Sequence, residues 1–209
     1  MTNEAAVHSK IGILTIEIGE CSAVRMTERE AIGYILNALS GGPNDDLRRA
    51  FDTMRSVKSY RRMIGRAAKA KVVPHDFRDR FHIAWTVEGF RWREAIDDDA
   101  LLLRALRAVL PPYAGEGLTM FRGEQAARYE SGRLGFNWTP RREVAQMFAS
   151  GLCSLYEGGG VLLTATVPAT AIVAGPNDHS KYLGEDEFVV DPALASDVAE
   201  LERHPQKPF

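Results

Sequence analysis

Two consecutive prolines, Pro111 and Pro112, separate two stretches of chain whose apolar residues recur with different periods. Proline lacks the backbone N–H a helix needs and pushes the preceding residue out of helical geometry, so no helix continues through this point. Before it, apolar residues return every three to four positions. After it, short runs rich in β-branched and aromatic residues are punctuated by Gly, Pro and Asn. The pattern predicts an α+β protein, with a mostly helical lobe over 1–112 packed on a β-rich core over 113–209. The Pro111–Gly117 loop is the internal boundary, and at 209 residues the two parts are expected to form one integrated domain.

Within the first part, residues 11–18 (IGILTIEI) predict a strand. Thr27 and Glu30 form a capping-box pattern for a helix to about Leu39, which the run GGPN at 41–44 stops. Over 45–72, Leu47, Phe51, Met54, Val57, Met63, Ile64 and Ala67 fall near one helical stripe, broken at Pro74. Residues 76–95 carry Phe77, Phe81, Trp85, Phe90 and Trp92 on another helix, with an interruption expected at Gly89. Asp97, Asp98 and Asp99 offer an N-cap for a helix to about Leu110. In the second part, strands are expected over 117–122, 133–139, 160–167, 170–174 and 186–190, with one helix at about 141–150.

Apolar residues make up 45% of the chain and charged residues 26%, which excludes the disordered and low-complexity classes. No apolar run approaches the roughly 20 residues of a membrane-spanning helix. The N-terminus lacks the pattern of a signal peptide, so a cytoplasmic location with no membrane partner is expected. Cys21 and Cys153 are too few for a disulfide framework or a four-Cys zinc site, and are expected to be small buried hydrophobes. Although His75 and His82 lie seven apart on one predicted helix, no metal-ligand spacing occurs, and no metal is expected. Phosphate-binding loops, dinucleotide-binding glycine fingerprints and nucleophile elbows are also missing. Charge is unevenly spread: nine basic residues and one acid fall between Arg48 and Lys71. That segment reads as a solvated helix face or as a surface for phosphates or an acidic partner. Only Phe51 and Tyr60 interleave it, too few for a platform on which single strands stack.

Three short segments carry chemistry. Phe121-Arg122-Gly123 ends a strand with a fixed cation beside bare backbone, able to clamp a pyrophosphate, although taken alone it reads first as an Arg at a strand end before a turn. Gly135-Phe136-Asn137-Trp138-Thr139-Pro140 leads into the helix 141–149, with Thr139 as a cap and Pro140 at the first position. Glu185-Asp186-Glu187 opens the last expected strand; in extended chain the two glutamates share a face, and their repulsion should raise at least one pKa. The ordinary reading of that segment is a solvated acidic edge.

In this order, the three segments resemble the Arg–Ser–Glu class of mono-ADP-ribosyltransferases, over about residues 117–192. Asn137-Trp138-Thr139 stands where the family has Ser-Thr-Ser, so two of three positions depart from its pattern, and the spacing from Arg122 to Thr139 is short. The resemblance implies a split antiparallel β core and NAD as co-substrate. Arg122 would hold the NAD phosphates and ribose, and Gly123 would offer backbone to the nicotinamide carboxamide. Asn137 and Thr139 would line the site, Thr139 steadying the catalytic glutamate. Glu187 would grip the nicotinamide ribose, and Glu185 would orient or deprotonate the incoming nucleophile. Trp138 and Phe148 are the candidates to stack on nicotinamide. The loop 175–184, with His179 and Tyr182, would recognise the acceptor. The implied activity is transfer of ADP-ribose to a macromolecule, protein slightly ahead of nucleic acid, as in an intracellular toxin or phage-conflict enzyme; an inhibitor protein is a further candidate partner. The alternatives are an NAD glycohydrolase, in which water is the acceptor, and a non-catalytic module that binds through the 48–71 segment.

Overall fold

A computed structural model describes residues 26–208; the strand expected over 11–18 and Cys21 lie outside the described residues. The first part contains α1 (Glu28–Leu39), α2 (Leu47–Thr53), α3 (Val57–Ala67), α4 (His75–Ile96) and α5 (Asp99–Val109). The second contains β1 (Leu118–Gln125), α6 (Ala126–Glu130), β2 (Asn137–Trp138), α7 (Arg142–Ser150), β3 (Gly160–Val167), β4 (Ile172–Ala174), α8 (Asp178–Tyr182), β5 (Phe188–Val190) and β6 (Ser196–His204). The chain is thus α+β, with two small antiparallel sheets ordered β1-β3-β6 and β2-β5-β4.

Local signals account for most helix ends. Thr27 Oγ1 accepts from the Glu30 N–H while the Glu30 carboxylate accepts from the Thr27 N–H, closing the capping box at α1. Asp98 caps α5 by accepting from the Leu101 N–H at 2.9 Å. The stripe over 45–72 belongs to two helices rather than one. The break at Met54–Ser56 is held by Glu28, whose carboxylate accepts from the N–H groups of Arg55 (2.8 Å) and Ser56 (2.6 Å) and from the Ser56 hydroxyl. These bonds lower the Glu28 pKa to about 2. The interruption expected at Gly89 does not occur. The Trp85 indole lies across this position, and a Cβ there would sit 2.9 Å from its Cδ2, so the glycine makes room for the ring within a continuous α4.

The helices enclose an aromatic core of Phe51, Phe77, Phe81, Trp85 and Trp92, in which Phe77 and Phe81 stack and the other ring pairs meet edge to face or tilted, Phe81 and Trp92 at 5.3 Å between centroids. This core does not stop at the prolines: Phe136, Val173, Ala174 and Val189 of the second part belong to it, and Trp85 stacks on Phe136 at 6.2 Å. A second apolar cluster lies within the β part, built from Met120, Trp138, Val161, Leu163 and Val190 among others. Strand β6 had no expectation in sequence. It is a polar, mostly exposed edge strand whose residues pair with β3 instead of filling the core.

Candidate functional site

The strand register gathers segments that lie far apart in sequence. Phe121 of β1 exchanges backbone hydrogen bonds with Thr139: its N–H donates to Thr139 O at 2.7 Å, and the Thr139 N–H donates back at 3.0 Å. This single bridge joins the two sheets. On its far side β2 pairs with β5, Asn137 opposite Val189 and Trp138 opposite Phe188. Arg122, Asn137, Thr139, Glu185 and Glu187 consequently line one cavity of about 300 Å³ at the junction of the sheets, with α7 along one wall. Gly123, Trp138 and Phe148 also contribute to its wall.

Arg122 is not a free cation. Its Nε donates to Glu124 Oε2 at 2.7 Å, and Nη1 donates to the Asn137 carbonyl. Glu124, two residues along the same strand and 1% exposed, also accepts from the Gly135 N–H at 2.7 Å. Burial would raise the Glu124 pKa, but the Arg122 guanidinium and the N–H groups of Gly135 and Gln125 hold it below the usual carboxylate range. This acid is a partner the sequence reading missed, although alternation along a strand puts residues 122 and 124 on one face. Gly123 serves packing: a Cβ would lie 2.6 Å from Ala145 O and collide with the Ala149 N–H of α7, so its bareness lets the helix dock on the strand. A side chain at Gly135 would occupy the Arg122 guanidinium itself.

Glu185 and Glu187 do not lie on a strand. Strand β5 begins at Phe188, and Asp186 adopts the left-handed region at φ 45°, which breaks the expected alternation. Both carboxylates nonetheless face the cavity. The Glu187 pKa is raised to about 8, first by burial, then by the Glu185 charge, with Arg122 opposing. The pair therefore shifts in the expected direction, with desolvation rather than repulsion dominant. The Glu185 pKa is raised as well, by burial, against the nearby His179. Asn137 Nδ2 donates to Glu187 Oε1 at 2.7 Å, and Asn137 Oδ1 in turn accepts from the Trp85 indole N–H at 3.1 Å. The Glu187 N–H donates to the Ser180 hydroxyl at 2.7 Å.

Thr139 does not cap α7. That helix starts at Arg142, while Thr139 Oγ1 donates to the Glu185 carbonyl at 2.7 Å and accepts from the Arg141 N–H at 3.1 Å. It thus ties the acidic segment to β2 through backbone. Trp138 is 1% exposed and its indole N–H donates to Gly135 O, so it forms part of the apolar packing beneath the cavity wall. Phe148 reaches the cavity from α7, and two aromatic residues that the sequence did not assign to the site, Phe90 of α4 and Tyr156, reach it as well; both are about half exposed. Cys153 also lines the cavity, and burial pushes its thiol up to about 11, which leaves it unreactive at neutral pH. His179 and Tyr182 sit on α8 outside the cavity wall, Tyr182 being 86% exposed.

The basic residues of 48–71 fall on α2, α3 and the turns around them. Several are tied to the protein surface: Arg48 pairs with Asp52, and Arg61 donates to the Ile96 carbonyl. His75 is paired with Asp79, whereas His82 is buried with no partner for Nε2 and its pKa falls to about 4 through desolvation. Among the described residues, no cluster of three or more His, Cys, Asp or Glu side chains has a geometry suited to a metal ion, and no helix is long and apolar enough to cross a membrane. No protein-family model, curated protein or solved structure matches the chain.

Proposed function

We propose that this cavity binds NAD and transfers its ADP-ribose to a macromolecular acceptor with release of nicotinamide, on a core of ADP-ribosyltransferase type. The observation that carries the reading is the meeting of Arg122, Asn137 and the Glu185/Glu187 pair on one cavity wall, from three separate segments. The residues suit a dinucleotide. A space of about 300 Å³ is at the small end of ligand pockets, matching one nucleoside half of NAD with the remainder outside. Two of the five guanidinium N–H donors of Arg122 would stay with Glu124 and Asn137, leaving the others for phosphate oxygens. Its charge is shared with Glu124, so the attraction is directional more than long-range.

The proposed step breaks the bond between the ribose C1′ and the nicotinamide nitrogen. The electron pair leaves with nicotinamide, which becomes neutral and needs no general acid. Positive charge grows on the sugar, as in glycoside hydrolysis, and the Glu187 carboxylate stabilises it in a poorly solvated site. Without ligand, Glu187 is held largely protonated at neutral pH; the cationic pyridinium of NAD favours its ionised form, so binding and activation are coupled. A nucleophile on the acceptor then forms the new bond to C1′ while Glu185 takes its proton. The exposed Tyr182 and the half-buried His179 are the proposed contacts to the acceptor.

Incubation with NAD labelled in the adenylate part, followed by separate protease and nuclease digestion of the labelled product, tests this reading. Label in macromolecules supports transfer and identifies the acceptor class. Nicotinamide release with no macromolecular label supports the glycohydrolase. No NAD binding by calorimetry leaves the non-catalytic module.

A further inference from the structure

The helical lobe carries no residue of the three segments that led to the proposed function, yet one turn of α4 reaches Glu187 by two routes. Along the first, the Trp85 indole N–H donates to Asn137 Oδ1, and Asn137 Nδ2 donates to Glu187 Oε1. An indole N–H is only a donor, so the Asn137 atom facing it must be the carbonyl oxygen, and the amide NH₂ is thereby turned to Glu187. Along the second, Asn177 Nδ2 donates to the His82 carbonyl (3.2 Å) and to Thr86 Oγ1 (2.8 Å), while Asn177 Oδ1 caps α8 by accepting from the Ser180 N–H (2.9 Å). The fully buried Ser180 then accepts from the Glu187 N–H through its hydroxyl and from the Glu185 N–H through its carbonyl. One route ends on the carboxyl group of Glu187 and the other on its backbone. Trp85 itself is clamped by Phe136, Trp92 and the bare backbone at Gly89, so the origin of the first route is rigid.

The geometry points to the His82–Thr86 turn of α4 as a positioning element for Glu187, with Trp85 as the residue that selects the amide orientation of Asn137. This role rests on the proposed function only for its effect on catalysis; its effect on Glu187 itself is independent of it. With the Trp85 N–H in place, Asn137 presents a donor, which favours the carboxylate. Without it, the amide is free to turn and offer its oxygen to the protonated acid instead. The other groups acting on Glu187 are unchanged by Trp85: Glu185 on the same loop, Arg122 with its partner Glu124 on β1, and His179 on α8 acting through Glu185.

Trp85→Phe keeps an aromatic ring and removes the N–H. Trp92→Phe, in the same core with its ring 6.0 Å from that of Trp85, is the control for lost indole volume. Two readouts are taken on the full chain. The first is the carboxyl carbon resonance of Glu187, identified by its loss in Glu187→Gln. Its titration midpoint should rise by about half a pH unit or more in Trp85→Phe and stay within about 0.2 in Trp92→Phe, by the usual worth of one hydrogen bond. The second is steady-state nicotinamide release, where kcat should fall about tenfold or more in Trp85→Phe with KM for NAD within about threefold, as misplacement of a reacting group does. An unmoved midpoint in a folded Trp85→Phe, or equal changes in both variants, overturns the positioning role. If the wild-type chain releases no nicotinamide, the proposed function fails while the midpoint still decides this inference.

Discussion

Replacing Glu187 by Gln should stabilise the protein above pH 8 and leave its stability unchanged below pH 4.5. In the folded chain the carboxyl pKa is raised from 4.5 to about 8. Between these values the folded state holds a proton that the unfolded state has released. Stability therefore falls as pH rises through this window, and the whole loss is felt above pH 8. At about 1.4 kcal/mol per unit, the shift corresponds to at most about 5 kcal/mol. Glu187 is partly open to the cavity, and water there lowers the figure to roughly 3–4 kcal/mol. Gln keeps an oxygen to accept from Asn137 Nδ2 and carries no charge, so it escapes the penalty. For a chain of this length, 1 kcal/mol moves the melting temperature by roughly 2–4 °C. The variant should therefore melt about 10 °C above wild type at pH 8.5 and within about 2 °C of it at pH 4.5, measured by circular dichroism across a pH series. A difference that does not vary with pH would show that Glu187 is not held in a desolvating site.

Three further outcomes follow from the same geometry. The kcat/KM for nicotinamide release should rise with pH along a limb whose midpoint lies near pH 8, because free Glu187 must ionise, and the limb for kcat alone should lie lower, because bound pyridinium favours the carboxylate; coincident limbs below pH 6 would contradict this. Gly123→Ala should destabilise the fold by about 2–3 kcal/mol in urea titrations, since the added Cβ meets α7 backbone; a fully stable variant with weakened NAD binding would instead return Gly123 to a ligand-binding role. His82 has its pKa lowered from 6.5 to about 4, so the unfolded chain gains a proton the folded one refuses and stability drops as pH falls from 6.5 to 4, by about 3 kcal/mol. His82→Phe should flatten that slope, and an unchanged slope would place the acid sensitivity elsewhere.

How far the sequence predicted this structure depended on the range of the interactions involved. Helix α1 was legible because Thr27 and Glu30 cap it three residues apart, and α5 because Asp98 does the same. The division of the 45–72 stripe was hidden, because the group that holds Met54–Ser56 open is Glu28, 27 residues away. Strand β6 escaped because an exposed edge strand needs no apolar alternation. In the candidate site, the residue types on the three segments pointed to one another, and the Phe121–Thr139 bridge with the β2–β5 pairing puts them on one wall. Glu124, the partner of Arg122, lies two residues along the same strand, where the period-two alternation of extended chain puts both on one face. The contribution of Trp85 was beyond reach: nothing local to α4 states which strand its indole N–H will meet, 52 residues on.

The most direct test of the account is the rate of nicotinamide release from NAD by the full chain and by Glu187→Gln at pH 8. The account predicts measurable release by the wild-type protein and a drop of two or more orders of magnitude in a variant that is folded and at least as stable, in line with the loss of an electrostatic catalytic group. Equal rates in the two proteins, or no release by a wild-type chain that binds NAD, would contradict it.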